Sequence, residues 1–129
     1  MQIGEAAQRS GLTVKTVRYY ANIGMVTPQQ DVNTGYRVYN EDDVAKLQFV
    51  GKARRFNFSV EECRELLSLY EDRNRPSREV KVMTVKKIGE IDARLAELQS
   101  LKDELSTLAA SCDGDHRSHC PILNALSGG

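Results

Sequence analysis

From Arg78 to Ser111 the chain contains no proline, and apolar residues recur through it at helical spacing: Ile88, Ile91, Leu95 and Leu98 step by 3, 4 and 3. That is heptad spacing. Leu101, Leu105 and Leu108 continue it after a phase shift, because Leu98 to Leu101 is a second step of three. About thirty residues in this state make a rod of roughly 45 Å. One apolar stripe on one helix has nothing of its own to bury it. The stripe therefore predicts a partner helix, most simply from a second copy of the chain. Packing back onto the N-terminal half is the alternative, and the rod's length and its short connection argue against it.

At 129 residues there is room for one small domain ahead of the rod. Its first stretch reads as helix, turn, helix. Ile3, Ala6 and Ala7 fall at helical spacing, and Gly11 suits a tight turn that needs positive φ. Thr13 suits the N-cap of a second helix over Val14–Tyr20, with Val14 and Val17 expected to point inward and Lys15, Arg18 and Tyr19 outward. A cation-rich helical face of this kind can lie along a major groove. Any helical hairpin with a solvated basic face would read the same way. Met25-Val26-Thr27-Pro28 and Tyr36-Arg37-Val38-Tyr39 are β-prone, with Asn33-Thr34-Gly35 as a turn signal between them. Pro28 confines its segment to an edge. Together they suggest a wing beside the reading helix, with Tyr36 and Arg37 placed to touch phosphates.

A second helical pair follows. Asn40 is a good N-cap, with Glu41, Asp42 and Asp43 in the first turn, where the helix dipole favours acids. Val44, Leu47 and Val50 give its apolar stripe, leaving Lys52, Arg54 and Arg55 near its end. Ser59-Val60-Glu61-Glu62 matches a capping box ahead of Leu66, Leu67 and Leu69, and Cys63 inside that helix reads as a small packing residue. Pro76 ends the pattern and marks a linker.

The formal net charge is zero, which at first argues against nucleic acid. Its distribution does not. Residues 1–58 hold eight Lys/Arg against five Asp/Glu, a net +3, while residues 59–111 hold nine against eleven, a net −2. DNA affinity depends on local phosphate neutralisation, so the front half carries the relevant charge. No apolar run is long enough for a membrane span, and the N-terminus lacks the layout of a signal peptide, so a cytoplasmic protein without a membrane partner is expected.

Three cysteines, two of them close together, suggest metal or redox chemistry more than a disulfide framework. Cys112 and Cys120 are separated by seven residues, with Gly114 to loosen the loop and Pro121 to stop it. Ile122, Leu123, Ala125 and Leu126 can form a short helix covering it. Thiolates suit Cu(I), Zn(II) and similar soft ions. Two cysteines alone suit a two-coordinate monovalent ion, whereas zinc normally takes four ligands. His116 and His119 could complete a divalent site or remain solvated. A thiol–disulfide cycle on the same pair stays open, although no Cys-x-x-Cys supports it.

Taken together these parts resemble the MerR family of bacterial regulators and, within it, the copper-efflux regulators. The residues that carry the resemblance are Ile3-Gly4-Glu5-Ala6-Ala7, Gly11-Leu12-Thr13, Thr16-Val17-Arg18-Tyr19-Tyr20, Gly24-Met25-Val26, Gly35-Tyr36-Arg37-Val38-Tyr39 and Cys112…Cys120-Pro121-Ile122. The resemblance implies a mainly α fold: a winged helix-turn-helix, a long helix pairing as an antiparallel coiled coil in a homodimer, and a C-terminal metal-binding loop with a short helix. It divides the chain into a DNA-binding domain (1–70), a linker (71–80), a dimerisation helix (81–111) and a sensing loop (112–129). It implies no enzymatic activity. Thr13, Lys15, Arg18, Tyr19, Tyr36, Arg37 and Arg54 are expected to contact promoter DNA, and Cys112 and Cys120 to hold Cu(I), with Ag(I) and Au(I) as related ions. Zinc-sensing relatives place a third cysteine from the partner subunit at the position of Ser77, and Lys81 matches a lysine that offsets the charge of the site. The implied action is activation of transcription with RNA polymerase at a distorted promoter.

Overall fold

Gly11 ends the first helix in the manner expected of it: its backbone is left-handed (φ 74°), and the amide of Leu12 closes onto the carbonyl of Ala7 at 3.0 Å. In the computed structural model, which describes residues 1–112 and 120–128, this helix is α1 (Ile3–Ser10) and is followed by α2 (Val14–Asn22). A two-stranded ribbon, β1 (Gln29–Gln30) and β2 (Arg37–Val38), comes next, then α3 (Glu41–Arg55), α4 (Val60–Glu71), α5 (Ser77–Ser111) and α6 (Pro121–Leu126). The chain divides into two units, Met1–Val82 and Met83–Gly129.

In the first unit α1 packs on α2 and α3, and α3 packs on α4. Thr13 caps α2 by accepting from the Thr16 amide at 3.1 Å. The buried face of α2 runs through Val17, Tyr20 and Ala21. Val14 does not join it: one turn ahead, at the open end of the helix, it is 37% exposed. The wing also differs from expectation. Met25 and Val26 are buried, and their amides donate to the Tyr20 carbonyl at 3.0 and 3.2 Å, which closes the end of α2 and leaves neither free for a ribbon. Pro28 has no amide to offer. Pairing therefore starts after it, Gln29 opposite Val38 and Gln30 opposite Arg37.

Asn40 and Asp43 form a capping box, each side chain accepting the other's amide at 2.8 and 3.0 Å. Ser59 and Glu62 form the second box, at 3.1 and 2.8 Å. Val44, Leu47, Val50, Leu66, Leu67 and the fully buried Cys63 build the core with Val17, Val26 and Tyr39. Arg9 pairs with Glu41, tying α1 to α3 and holding the Glu41 carboxyl below its usual range.

Pro76 sets the start of α5, so the helix begins at Ser77 and the last residues of the expected linker are helical. In the second unit the expected stripe is uncovered. Ile88, Ile91, Leu95, Leu98, Leu101 and Leu105 are between 36% and 59% exposed. Lys87 is buried and pairs with Glu90 at 2.6 Å. No helix among the described residues is long and apolar enough to cross a membrane.

The Asn40 box closes the helix that carries most of the core, so Asn40→Ala is expected to lower the unfolding free energy by about 1 kcal/mol, read from the urea midpoint. An unchanged midpoint would show that the cap is not a stabilising element.

Candidate functional site

Two sets of side chains stand out, one on each unit. On the first, Lys15, Arg18 and Tyr19 project from α2 into solvent. Arg18 also lines a surface depression of about 600 Å³ together with Gln2, Ile3, Gln30, Gly35, Tyr36 and Arg37. Reading helix and wing thus share one concavity, with two guanidiniums, a phenol and no carboxylate on its walls. That composition suits a phosphate backbone.

Hydrogen bonds define the turn of the wing and tie it to α2. Asp31 accepts from the amides of Asn33 (2.7 Å) and Thr34 (3.1 Å), and its carbonyl takes the amide of Gly35 at 2.8 Å. Gly35 has φ 73°, a conformation that side chains other than glycine disfavour. Arg37 then donates from Nη2 to Asn22 Oδ1 at 2.7 Å, linking β2 to the last residue of α2. Tyr39 anchors the chain start beside the wing, its amide donating to the Met1 carbonyl and its carbonyl accepting from the Met1 ammonium, both at 2.7 Å. Burial pushes the Tyr39 phenol up, with Arg37 opposing the shift.

Not every expected DNA residue joins this group. Lys15 and Tyr19 are on the outward face of α2 but do not line the depression. Thr13 is spent on its helix, its hydroxyl donating to Thr16 Oγ1 at 2.8 Å. Arg54 donates to the Phe58 carbonyl at 2.8 Å and also acts on the buried Tyr20 phenol, which burial pushes up and Arg54 draws back. Gln2, Ile3 and Gln30 were not anticipated. Uncharged residues leave no basic signal, and only the strand register puts Gln30 opposite Arg37.

On the second unit Cys112 follows directly on α5 and Cys120 is the N-cap residue of α6, with Pro121 in its first turn. Both are half-buried, and their sulfurs are 3.8 Å apart. That is nearly twice a disulfide bond of about 2.05 Å, so the two sulfurs are separate donors. With metal–sulfur bonds of about 2.3 Å, two sulfurs span about 3.8 Å at tetrahedral angles and about 4.6 Å when linear, so the pair accepts either geometry with under about 1 Å of adjustment. The amide of Leu123 holds the Cys120 thiol below its usual range, aided by Cys112 and the Ile122 amide against the effect of burial. The shift is toward the thiolate, the form in which a cysteine binds a soft metal. Among the described residues no group of three or more His, Cys, Asp and Glu comes together. His116, His119 and Gly114 lie outside the described residues. Ser77 opens α5, and Lys81 follows one turn later, both exposed.

Comparison with known proteins places the chain in a family. Residues 1–69 match the MerR HTH family regulatory protein model, and residues 44–108 match the MerR, DNA binding model. The chain is 49% identical over 129 residues to the HTH-type transcriptional regulator HmrR of Rhizobium leguminosarum bv. viciae, covering 100% of this chain and 99% of that protein. It is 42% identical over 128 residues to the HTH-type transcriptional regulator CueR of Salmonella typhimurium, covering 99% and 93%. Among solved structures, the transcription regulator PbrR691 from Ralstonia metallidurans CH34 in complex with lead(II) superposes with a TM-score of 0.82 at 30% identity, covering 98% of each chain.

Arg18 faces the depression from the reading helix, so Arg18→Ala is expected to weaken operator binding with or without metal and leave metal stoichiometry unchanged. If Arg18 meets a phosphate, the slope of log affinity against log salt also falls by about 0.9 for each protomer bound. Equal loss of metal binding would contradict the separation of the two sets.

Matched over residues 1–108 by two family models and along its whole length by relatives, the chain belongs to the MerR family and is a DNA-binding transcriptional regulator, not an enzyme.

Proposed function

We propose that this metal-responsive regulator takes a soft monovalent ion, Cu(I) or its analogues Ag(I) and Au(I), between Cys112 and Cys120, and then activates copper-efflux or detoxification genes. The observation that carries the reading is the sulfur pair, 3.8 Å apart at the start of α6. Two thiolates with a monovalent ion leave a net −1, whereas a divalent ion leaves zero. A half-buried −1 needs a compensating cation or dipole. The Leu123 and Ile122 amides already favour negative charge on Cys120. Lys81 of the partner subunit is assigned the balancing cation, since each Lys81 lies at the opposite end of α5 from its own Cys112, and Ser77 of the partner subunit, in place of a third sulfur, withholds the ligand a divalent ion would take. Resemblance along the whole chain to the heavy metal-dependent transcription regulator 2 of Rhizobium meliloti supports the metal-responsive part of this reading.

The lead(II) complex of PbrR691 favours a second reading, a divalent sensor. Here it would have to recruit His116 and His119 or a donor from another copy.

The chain acts in the cytoplasm as a homodimer on double-stranded promoter DNA. Residues 1–70 read the DNA, 81–111 pair two copies as an antiparallel coiled coil, 112–129 sense the ion, and 71–80 connect reading to pairing. Thr13, Lys15, Arg18, Tyr19, Tyr36, Arg37 and Arg54 are the assigned DNA-contacting set. Metal binding resets the two reading heads, and the bent and untwisted promoter becomes usable by RNA polymerase, with DNA deformability supplying part of the specificity. The ion drives this only by binding the activating state more tightly than the repressing one.

The test is transcription in vitro at buffered free Cu(I) and Zn(II). Wild type is expected to answer copper and not zinc. Cys112→Ser and Cys120→Ser should each abolish the response and leave metal-free DNA binding nearly intact. His116→Ala with His119→Ala should change little, and Ser77→Cys should admit a zinc response. A wild type that answers zinc equally, or a dead double-histidine variant, would replace the two-coordinate site with the divalent one.

A further inference from the structure

We propose that Val14 is a base-reading residue, whose side chain at the exposed start of α2 takes the C5-methyl group of a thymine in the major groove. The inference rests on DNA binding by the first unit and is independent of which metal the second unit takes.

Val14 is the first residue of α2 and is 37% exposed, although an apolar residue at helical spacing with Val17 was expected to face the core. Residues four apart share a helix face, so Val14 and Arg18 present themselves to the same side, with Lys15 adjacent. In a helix-turn-helix the N-terminal residues of the second helix meet the base edges. The chemistry available at that end of α2 is limited. The Thr13 hydroxyl accepts from the Thr16 amide and donates to the Thr16 hydroxyl, so its proton is committed within the helix. Lys15 and Arg18 are cations, suited to guanine O6 and N7 or to phosphates. Beside the single methyl of Thr13, Val14 is the larger apolar side chain at the reading end.

A β-branched residue at an exposed helix position is not there for helix stability, since its propensity is below that of alanine, leucine or lysine. The major groove offers one apolar group along its base edges, the thymine methyl, and cytosine lacks it. Val14 thus separates T·A from C·G at one position per half-site, where charged neighbours alone would favour guanine or the backbone. Steric shape sets the scale: one methyl group against one isopropyl group.

Removing the methyl from the DNA tests this directly. Duplexes that bind wild type are selected from a random-sequence pool, and each thymine of the winning site is replaced singly by deoxyuridine. One thymine per half-site is expected to show about a fourfold loss, the worth of one methyl removed from water. Val14→Ala should bind the thymine and uracil duplexes equally, whereas Arg18→Ala should bind both more weakly and keep the fourfold ratio. Measurement at low salt keeps weakened variants within range. If no thymine shows the loss, or if Val14→Ala keeps the same ratio, Val14 does not read a methyl group.

Discussion

Half-exposed leucine and isoleucine side chains along one face of a 35-residue helix are the constraint on which the rest of this molecule depends. Each gains on the order of 1 kcal/mol when the remainder of its surface leaves water. Ile88, Ile91, Leu95, Leu98, Leu101 and Leu105 on each of two copies would supply on the order of 10 kcal/mol, comparable to the stability of a whole domain. Part of that is lost to the entropy of association. The remainder makes the stripe a dimerisation surface in the proposed assembly. Two copies bring two reading helices and two wings, which is what a symmetric operator requires.

The caps and the stripe were legible because they are local. Thr13, Asn40 and Ser59 each announce a helix start by side-chain chemistry that acts within three residues, and all three cap in the structure. The misplaced features depend on contacts that a local pattern does not contain. Met25 and Val26 look like a strand, yet their amides are claimed by Tyr20 at the end of α2. Val14 has the right spacing for the core but stands ahead of the buried face. Asp31 and Asn22, which fix the wing's turn and its tie to α2, are ordinary polar residues in the sequence and acquire their roles only through geometry.

At the other end of the chain the spacing of Cys112 and Cys120 predicted that the two thiols could face one another, and the fold brings their sulfurs to 3.8 Å. Sequence alone did not reveal the electrostatic support. Cys120 stands at the N-terminus of α6, where the Leu123 and Ile122 amides draw its thiol below the usual range. In the proposed mechanism the same short helix favours the ligating form of Cys120.

The dimer is therefore the claim through which DNA reading and sensing are joined, and sedimentation equilibrium tests it most directly. Wild type is expected to sediment as a dimer. Leu95→Glu combined with Leu98→Glu places four charges in the interface of two antiparallel helices, and should give folded monomers that no longer bind operator. A double variant that remains dimeric with full operator binding would place the interface elsewhere than on the α5 stripe.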